Sequence, residues 1–203
     1  MNRRNIIQVP LVATGASAAT AFGTHAASTD ELLPDRPHDF DFLIGSWNVT
    51  HRRLKERLAD NSQWEEFTGT SRLWLTMGGF GTFDDNVINL PAGTYTGMQS
   101  NALQGGTYRA STLRGYDPKE KLWSIWWLDA RTPQGPLDPP VRGRFADGVG
   151  TFLADDTFNG KPVKIRFIWS QTSTPNPKWE QAFSPDGGKT WETNWVMHFT
   201  RAA

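Results

Sequence analysis

Three side chains near the start of the folded region have the chemistry of an anion-binding or proton-transfer site: His51, Arg53 and Glu66. His51 and Arg53 stand two residues apart, so in an extended strand they share one face, together with Trp47 and Val49. If Asp60-Asn61 forms a two-residue turn, Ala59 faces Ser62, and Arg57 then pairs with Trp64, Lys55 with Glu66 and Arg53 with Thr68. That register predicts Glu66 on the face of His51 and Arg53, nearer the end of the hairpin. A guanidinium fork beside an imidazole in a water-poor chamber would hold a carboxylate, phenolate or enolate. The same groups would also serve a cofactor-independent lyase or isomerase, with His51 or Glu66 moving a proton while Arg53 stabilises an anionic intermediate. The competing reading is an exposed basic stripe on an overhanging hairpin, because a single β-bulge would turn every side chain to the other face.

Further candidates lie downstream. Trp123-Ser124-Ile125-Trp126-Trp127-Leu128-Asp129-Ala130-Arg131 is apolar on both faces and reads as a central strand, with Trp126 as a wall of the ligand site. Its Asp129 and Arg131 form either an ion pair that fixes the following loop or part of the site. That loop, with Pro133, Pro136, Pro139 and Pro140, is the candidate lid or rim. Arg144 is assigned to the cavity on the expectation that Phe145 and Phe152 pack on the opposite face. His198 is kept as a further ligand-binding candidate. The acidic runs Asp84-Asp85-Asn86 and Asp155-Asp156 lack the alternating oxygen ligands of a calcium loop and read as solvated turns. His38, His51 and His198 have no metal-ligand spacing, so no metal site is expected. No phosphate-cradling or dinucleotide motif is present.

These side chains need a scaffold, and composition restricts what it is. Residues 1–26 combine a short basic start at Arg3-Arg4, a weakly apolar stretch and small residues up to Ala26, the parts of a secretory signal; the protein is therefore expected to be periplasmic or secreted, with no stable membrane anchor after cleavage. Of the 203 residues, 177 then remain, with 19 basic and 21 acidic side chains and a net charge of −2. That balance offers no electrostatic footprint for nucleic acid. The absence of cysteine excludes disulfides, thiolate nucleophiles and Cys-ligated metal centres. Ten Trp and twelve Phe must supply the core instead.

After a polar lead-in over 27–38, short aromatic and β-branched runs alternate with Gly, Pro, Asn and Asp clusters. The spacing predicts an all-β single domain over 39–203, an antiparallel up-and-down barrel, with strands near 42–57, 64–76, 80–90, 94–101, 106–116, 121–131, 141–146, 149–155, 161–171, 178–184 and 190–200. Leu54 and Leu58 leave open a short helix over 52–58. Ser184-Pro185-Asp186-Gly187-Gly188-Lys189-Thr190-Trp191 matches the Asp-box pattern of sialidase blades, and one copy is read as a structural hairpin. A five-residue loop there would set Phe183 across from Trp191 and Trp179 across from Trp195.

Gly45-x-Trp47 near the first strand and Arg201 in the last are similar to the ends of lipocalin and other calycin barrels. From Asp39 to Arg201 the chain also resembles a family of secreted or periplasmic bacterial proteins of unassigned function grouped with those barrels, through Phe40-Asp41-Phe42-Leu43-Ile44-Gly45-Ser46-Trp47, His51-Arg52-Arg53-Leu54, Tyr116-Asp117-Pro118, Trp179-Glu180-Gln181-Ala182-Phe183 and Asp186-Gly187-Gly188-Lys189-Thr190-Trp191-Glu192. The resemblance implies a closed barrel holding a small molecule, with the Trp47 indole inside and therefore His51 and Arg53 inside as well. It carries no known catalytic residue. His198, three residues before Arg201, also resembles the haem-ligating histidine of the nitrobindins, which implies haem as an alternative ligand. The leading expectation is an exported barrel binding a hydrophobic or aromatic, in one version anionic, small molecule; the lyase or isomerase and the haem protein are the alternatives. Oligomeric state is left open.

Overall fold

The computed structural model describes residues 31–91 and 106–203. The expected signal segment and the expected strand over 94–101 lie outside the described residues. Among the described residues ten strands follow one another: β1 (Gly45–Leu54), β2 (Trp64–Thr76), β3 (Gly81–Leu90), β4 (Gly106–Asp117), β5 (Leu122–Asp129), β6 (Val141–Ala146), β7 (Val149–Phe158), β8 (Lys161–Ser170), β9 (Lys178–Ser184) and β10 (Glu192–Arg201). Each pairs antiparallel with its neighbour in sequence, and β1 pairs with β10, which closes the barrel. The fold is the up-and-down β-barrel that strand spacing predicts. Turn chemistry explains why the reversals fall where they do. Asp147-Gly148 and Asn159-Gly160 both hold positive φ at two consecutive residues, the geometry that matches the twist of a two-residue hairpin.

One end of the barrel is plugged. The lead-in crosses beneath it, Arg36 makes a bidentate pair with Asp41 at 2.6 and 2.8 Å, and a 3-10 turn, Asp41–Leu43, drives Phe40 and Leu43 into the interior. Phe40 meets Trp123 and Phe145 edge-on, with ring centroids 4.9 and 5.0 Å apart. The Trp47 indole donates to the Leu43 carbonyl at 2.7 Å, and the Arg201 guanidinium lies 3.9 Å over the Trp47 ring while donating to the carbonyls of Ile44 and Phe42. The pairing of Trp47 in the first strand with Arg201 in the last is therefore a physical clamp on the plug. Gly45 adopts φ +110°, and a Cβ there would meet the Arg201 guanidinium at 2.7 Å.

The opposite end carries the loops 55–63, 130–140 and 185–191. Strand β1 stops at Leu54 rather than continuing to 57, and no helix forms over 52–58. The hairpin is closed by the Lys55 amide donating to the Gln63 carbonyl at 2.9 Å. The register becomes Leu54 with Trp64, Arg53 with Glu65 and Arg52 with Glu66, in place of the pairing expected from a turn at Asp60-Asn61. A long-range contact explains the difference: the carboxylate of Glu192, at the start of β10, accepts the Leu58 amide through both oxygens, at 2.9 and 3.1 Å. At the Asp-box hairpin Asp186 accepts from Ser184 Oγ, from the amides of Lys189 and Thr190 and from Thr190 Oγ1, so its role is structural, as expected. A bulge between Thr193 and Trp195 shifts the neighbouring register, so Phe183 pairs with Glu192 and Trp179 with Met197.

The seam between β5 and β6 is incomplete. Only Trp123, Ser124 and Ile125 pair across it, with Gly143, Arg142 and Val141. Among the described residues, β5 beyond Ile125 pairs with β4 alone, and β7 beyond Leu153 pairs with β8 alone. The Pro-rich loop spans the resulting wedge. Arg131 bonds Asp129 at 2.9 Å and stacks 4.1 Å over the Tyr108 ring, which fixes the start of that loop.

Candidate functional site

Alternation from Trp47 places Val49, His51 and Arg53 inside the barrel, and all are buried. An interior cavity of about 180 Å³ runs from Leu43 above the plug to Trp127, Asp138 and Pro139 at the wedge. Its lining is sorted by strand. On β1 to β4 the polar lining residues include His51, Ser71, Asp84, Asn86, Thr112 and Arg114, with Val49 and Ile88 among them. On β5 to β10 they are chiefly Ile125, Phe167, Trp169, Trp179, Trp195 and Met197. The polar lining residues on that side are Gln181, which donates its amide to Asn194 at 2.8 Å, and, at the wedge, the exposed Asp138, Asp155 and Asp156. One wall therefore offers hydrogen bonds and the facing wall offers aromatic surface.

The polar wall is organised by a buried ion pair that sequence reading missed. Arg114 donates to Asp84 Oδ2 at 2.6 Å, and both side chains are at most 6% exposed. The other Asp84 oxygen accepts the Thr112 amide at 2.9 Å and the Asn86 amide group. Arg114 also lies 5.0 Å from the centre of the Phe40 ring, so the pair stands on the plug. Asp84-Asp85-Asn86 and Asp155-Asp156 are strand residues rather than the expected solvated turns. The readable signal was parity: within the predicted strand 80–90, Asp84 shares a face with Ile88, which is buried.

His51 is 3% exposed, its ring stacked on Phe67 at 4.8 Å and 9° between planes. The Trp195 indole donates to its Nδ1 at 3.3 Å. Burial first, and the nearby Arg53 guanidinium second, push the imidazole down to about 3, so it is neutral at physiological pH. With Nδ1 accepting a hydrogen bond, the ring proton sits on Nε2, which faces Gly69: a Cβ there would come within 2.8 Å of it. Arg53 is held by Glu65, through Nε at 3.0 Å and Nη2 at 2.7 Å, between the rings of Phe67 and Trp195. It is thus a neutralised structural cation and does not line the cavity.

The remaining expected site residues separate. Glu66 is on the outside, 73% exposed and 3.9 Å from Arg52, because the hairpin register differs from the expected one; the expected His51 and Glu66 acid/base pair does not form. Trp126 also faces outward, packed towards Gly115, while its neighbour Trp127 reaches the cavity mouth. Arg144 is exposed: Phe145, not its neighbour, enters the core, drawn in by Phe40 and Phe42 of the plug. His198 is exposed on the outer face, paired with Thr50 and Lys178. Trp47 is interior but belongs to the clamp on the plug.

No protein-family model matches the chain, and no curated protein matches it. Among solved structures, the S-type phycobiliprotein lyase CPES from Guillardia theta is similar, with a TM-score of 0.47 and 11% identity over 81% of this chain and 90% of that one. The chemistry of the site is read from its own residues. Haem does not fit them. The histidine that resembles an axial ligand is exposed on the outer face, and the interior imidazole is engaged by Trp195, so neither is placed to ligate iron in the cavity. Among the described residues no group of three His, Cys, Asp or Glu side chains stands close enough to hold a metal ion.

Proposed function

We propose that the protein is an exported binding protein that carries a small, partly aromatic molecule in the barrel. The observation that carries this reading is the cavity itself: about 180 Å³, walled by Phe167, Trp169, Trp179 and Trp195, in a core otherwise closed by large aromatic side chains. An apolar cavity of about 150 Å³ admits benzene, so this volume suits a molecule of one or two rings. Binding is favoured over acid/base catalysis because His51 is neutral, has an indole rather than a carboxylate on Nδ1, and is separated from Glu66 by the barrel wall. The wedge between β5 and β7, spanned by residues 130–140, is the proposed entry. Export rests on the basic, apolar and small-residue order of residues 1–26.

Native mass spectrometry of protein purified from its own cells tests the carrier reading, with a retained ligand expected. Ala154 lines the cavity on the β7 side of the wedge, so Ala154→Phe fills the space and is expected to abolish retention without unfolding the barrel. Retention unchanged in that variant, in a folded protein, places the ligand elsewhere and refutes the reading. Amino-terminal sequencing of the mature protein tests export, and an intact first residue refutes it.

A further inference from the structure

The sorting of the cavity into two walls narrows the class of ligand. The geometry points to an uncharged planar molecule of one or two rings that bears a hydroxyl or comparable donor–acceptor group on one edge, that edge lying against Asp84, Asn86, Thr112 and Arg114. This inference rests on the carrier reading and adds the charge and orientation of what is carried.

The argument is one of charge balance in a low-dielectric space. The cation on the polar wall of the cavity, Arg114, is already neutralised by Asp84 at 2.6 Å. An entering carboxylate would have to displace Asp84 from Arg114, leaving one buried anion without its partner. An entering ammonium would meet an Asp84 already shared among Arg114, Asn86 and the Thr112 amide, and would lose its own hydration. A neutral hydroxyl escapes both penalties. It accepts from the guanidinium or the Asn86 amide, and donates to Asp84, whose two oxygens offer about four acceptor positions for the three donors described. Ser71 and Thr112 add hydroxyls that rotate to match either role. On the facing wall Trp169 and Trp179 present ring surface, which recognises a planar apolar face and carries no hydrogen-bond demand. An apolar ligand without the polar edge would leave the polar wall desolvated and unanswered.

Four probes of one shape separate the possibilities: naphthalene, 2-naphthol, 2-naphthoate and 2-(aminomethyl)naphthalene, titrated calorimetrically or in competition at neutral pH. The expected order is 2-naphthol tightest, by roughly tenfold over naphthalene, with both ions weaker than naphthalene. Asp84→Asn should then invert part of the order. With its buried guanidinium left uncompensated, this variant should bind 2-naphthoate at least about tenfold more tightly than the wild type and lose its preference for 2-naphthol. A purely structural role for Asp84 would weaken all four probes together. Should Asp84→Asn fail to fold, the wild-type order still decides, and Ser71→Ala supplies a milder loss of the 2-naphthol preference. Either ion binding tightest overturns the inference, as does naphthalene equalling 2-naphthol, and both results leave the carrier reading standing. Failure of all four probes to bind removes the carrier reading itself.

Discussion

The burial of His51 makes this barrel sensitive to mild acid in a way that isolates one residue. Inside the barrel the imidazole is pushed down to about 3 from an unfolded value of 6.5, by desolvation first and the Arg53 charge second. The unfolded chain therefore takes up the proton more readily than the native one. The stabilising contribution is complete above about pH 6.5 and is lost progressively as pH falls from there towards 3. Between about pH 8 and pH 5 the difference in proton binding amounts to about 2 kcal/mol, from about 1.5 pH units below the unfolded value at 1.36 kcal/mol each. His51→Gln keeps an acceptor for the Trp195 indole and has nothing to titrate. Urea unfolding at both pH values should show the wild type losing about 2 kcal/mol more than the variant. Carboxylates held low by partners, such as Asp41 beside Arg36 and Asp129 beside Arg131, contribute equally to both proteins and cancel. Equal losses in the two proteins would mean that the ring is solvated or protonated in the native state, and the cavity as described would be wrong.

Three further outcomes follow from the packing. Glu65→Leu should destabilise by about 3–5 kcal/mol by stranding Arg53, whereas the double replacement with Arg53→Met should recover most of that in thermal unfolding. Recovery of none of it would mean that Glu65 acts independently of Arg53. Gly143→Ala should disrupt the β6–β7 hairpin, because a Cβ would fall 1.9 Å from the Thr151 carbonyl oxygen; wild-type amide exchange in β6 and β7 would contradict the register. Arg201→Ala should lower stability by about 1–2 kcal/mol and loosen the plug, with Arg201→Lys only partly restoring it because a point charge cannot both cover Trp47 and reach two carbonyls. Near-UV circular dichroism of the Trp47 environment reads this out, and an unchanged spectrum would detach the clamp from the plug.

What sequence made legible was set by local chemistry. Asp147-Gly148 and Asn159-Gly160 reverse the chain through their own backbone preferences, so β6 to β8 lie within a few residues of expectation. The inward face of β1 was legible because Trp47, Val49 and His51 alternate with polar neighbours. What failed depended on distant partners. Glu192 captures the Leu58 amide from the far end of the chain, which resets the first hairpin and carries Glu66 outside. Strands β5 and β6 are apolar or mixed on both faces, so parity alone could not choose Trp127 over Trp126 or Phe145 over Arg144. The choice is made by the plug residues Phe40 and Phe42, which meet Phe145. The Asp84 and Arg114 pair joins residues 30 apart, and an acidic run resembling a turn concealed it.

Closing a sheet on itself normally removes the exposed strand borders through which chains add to one another. Here the short β5–β6 seam restores two such borders, along Trp126–Asp129 and Ala154–Phe158. Both are armed against recruitment: Asp129 and Arg131 occupy one, Asp155 with Lys164 and Asp156 the other, and Pro139 and Pro140 remove amide donors from the segment between. The opening proposed as the entry is thus also the point at which copies of this chain would otherwise pair edge to edge, and the same prolines and charges oppose that pairing.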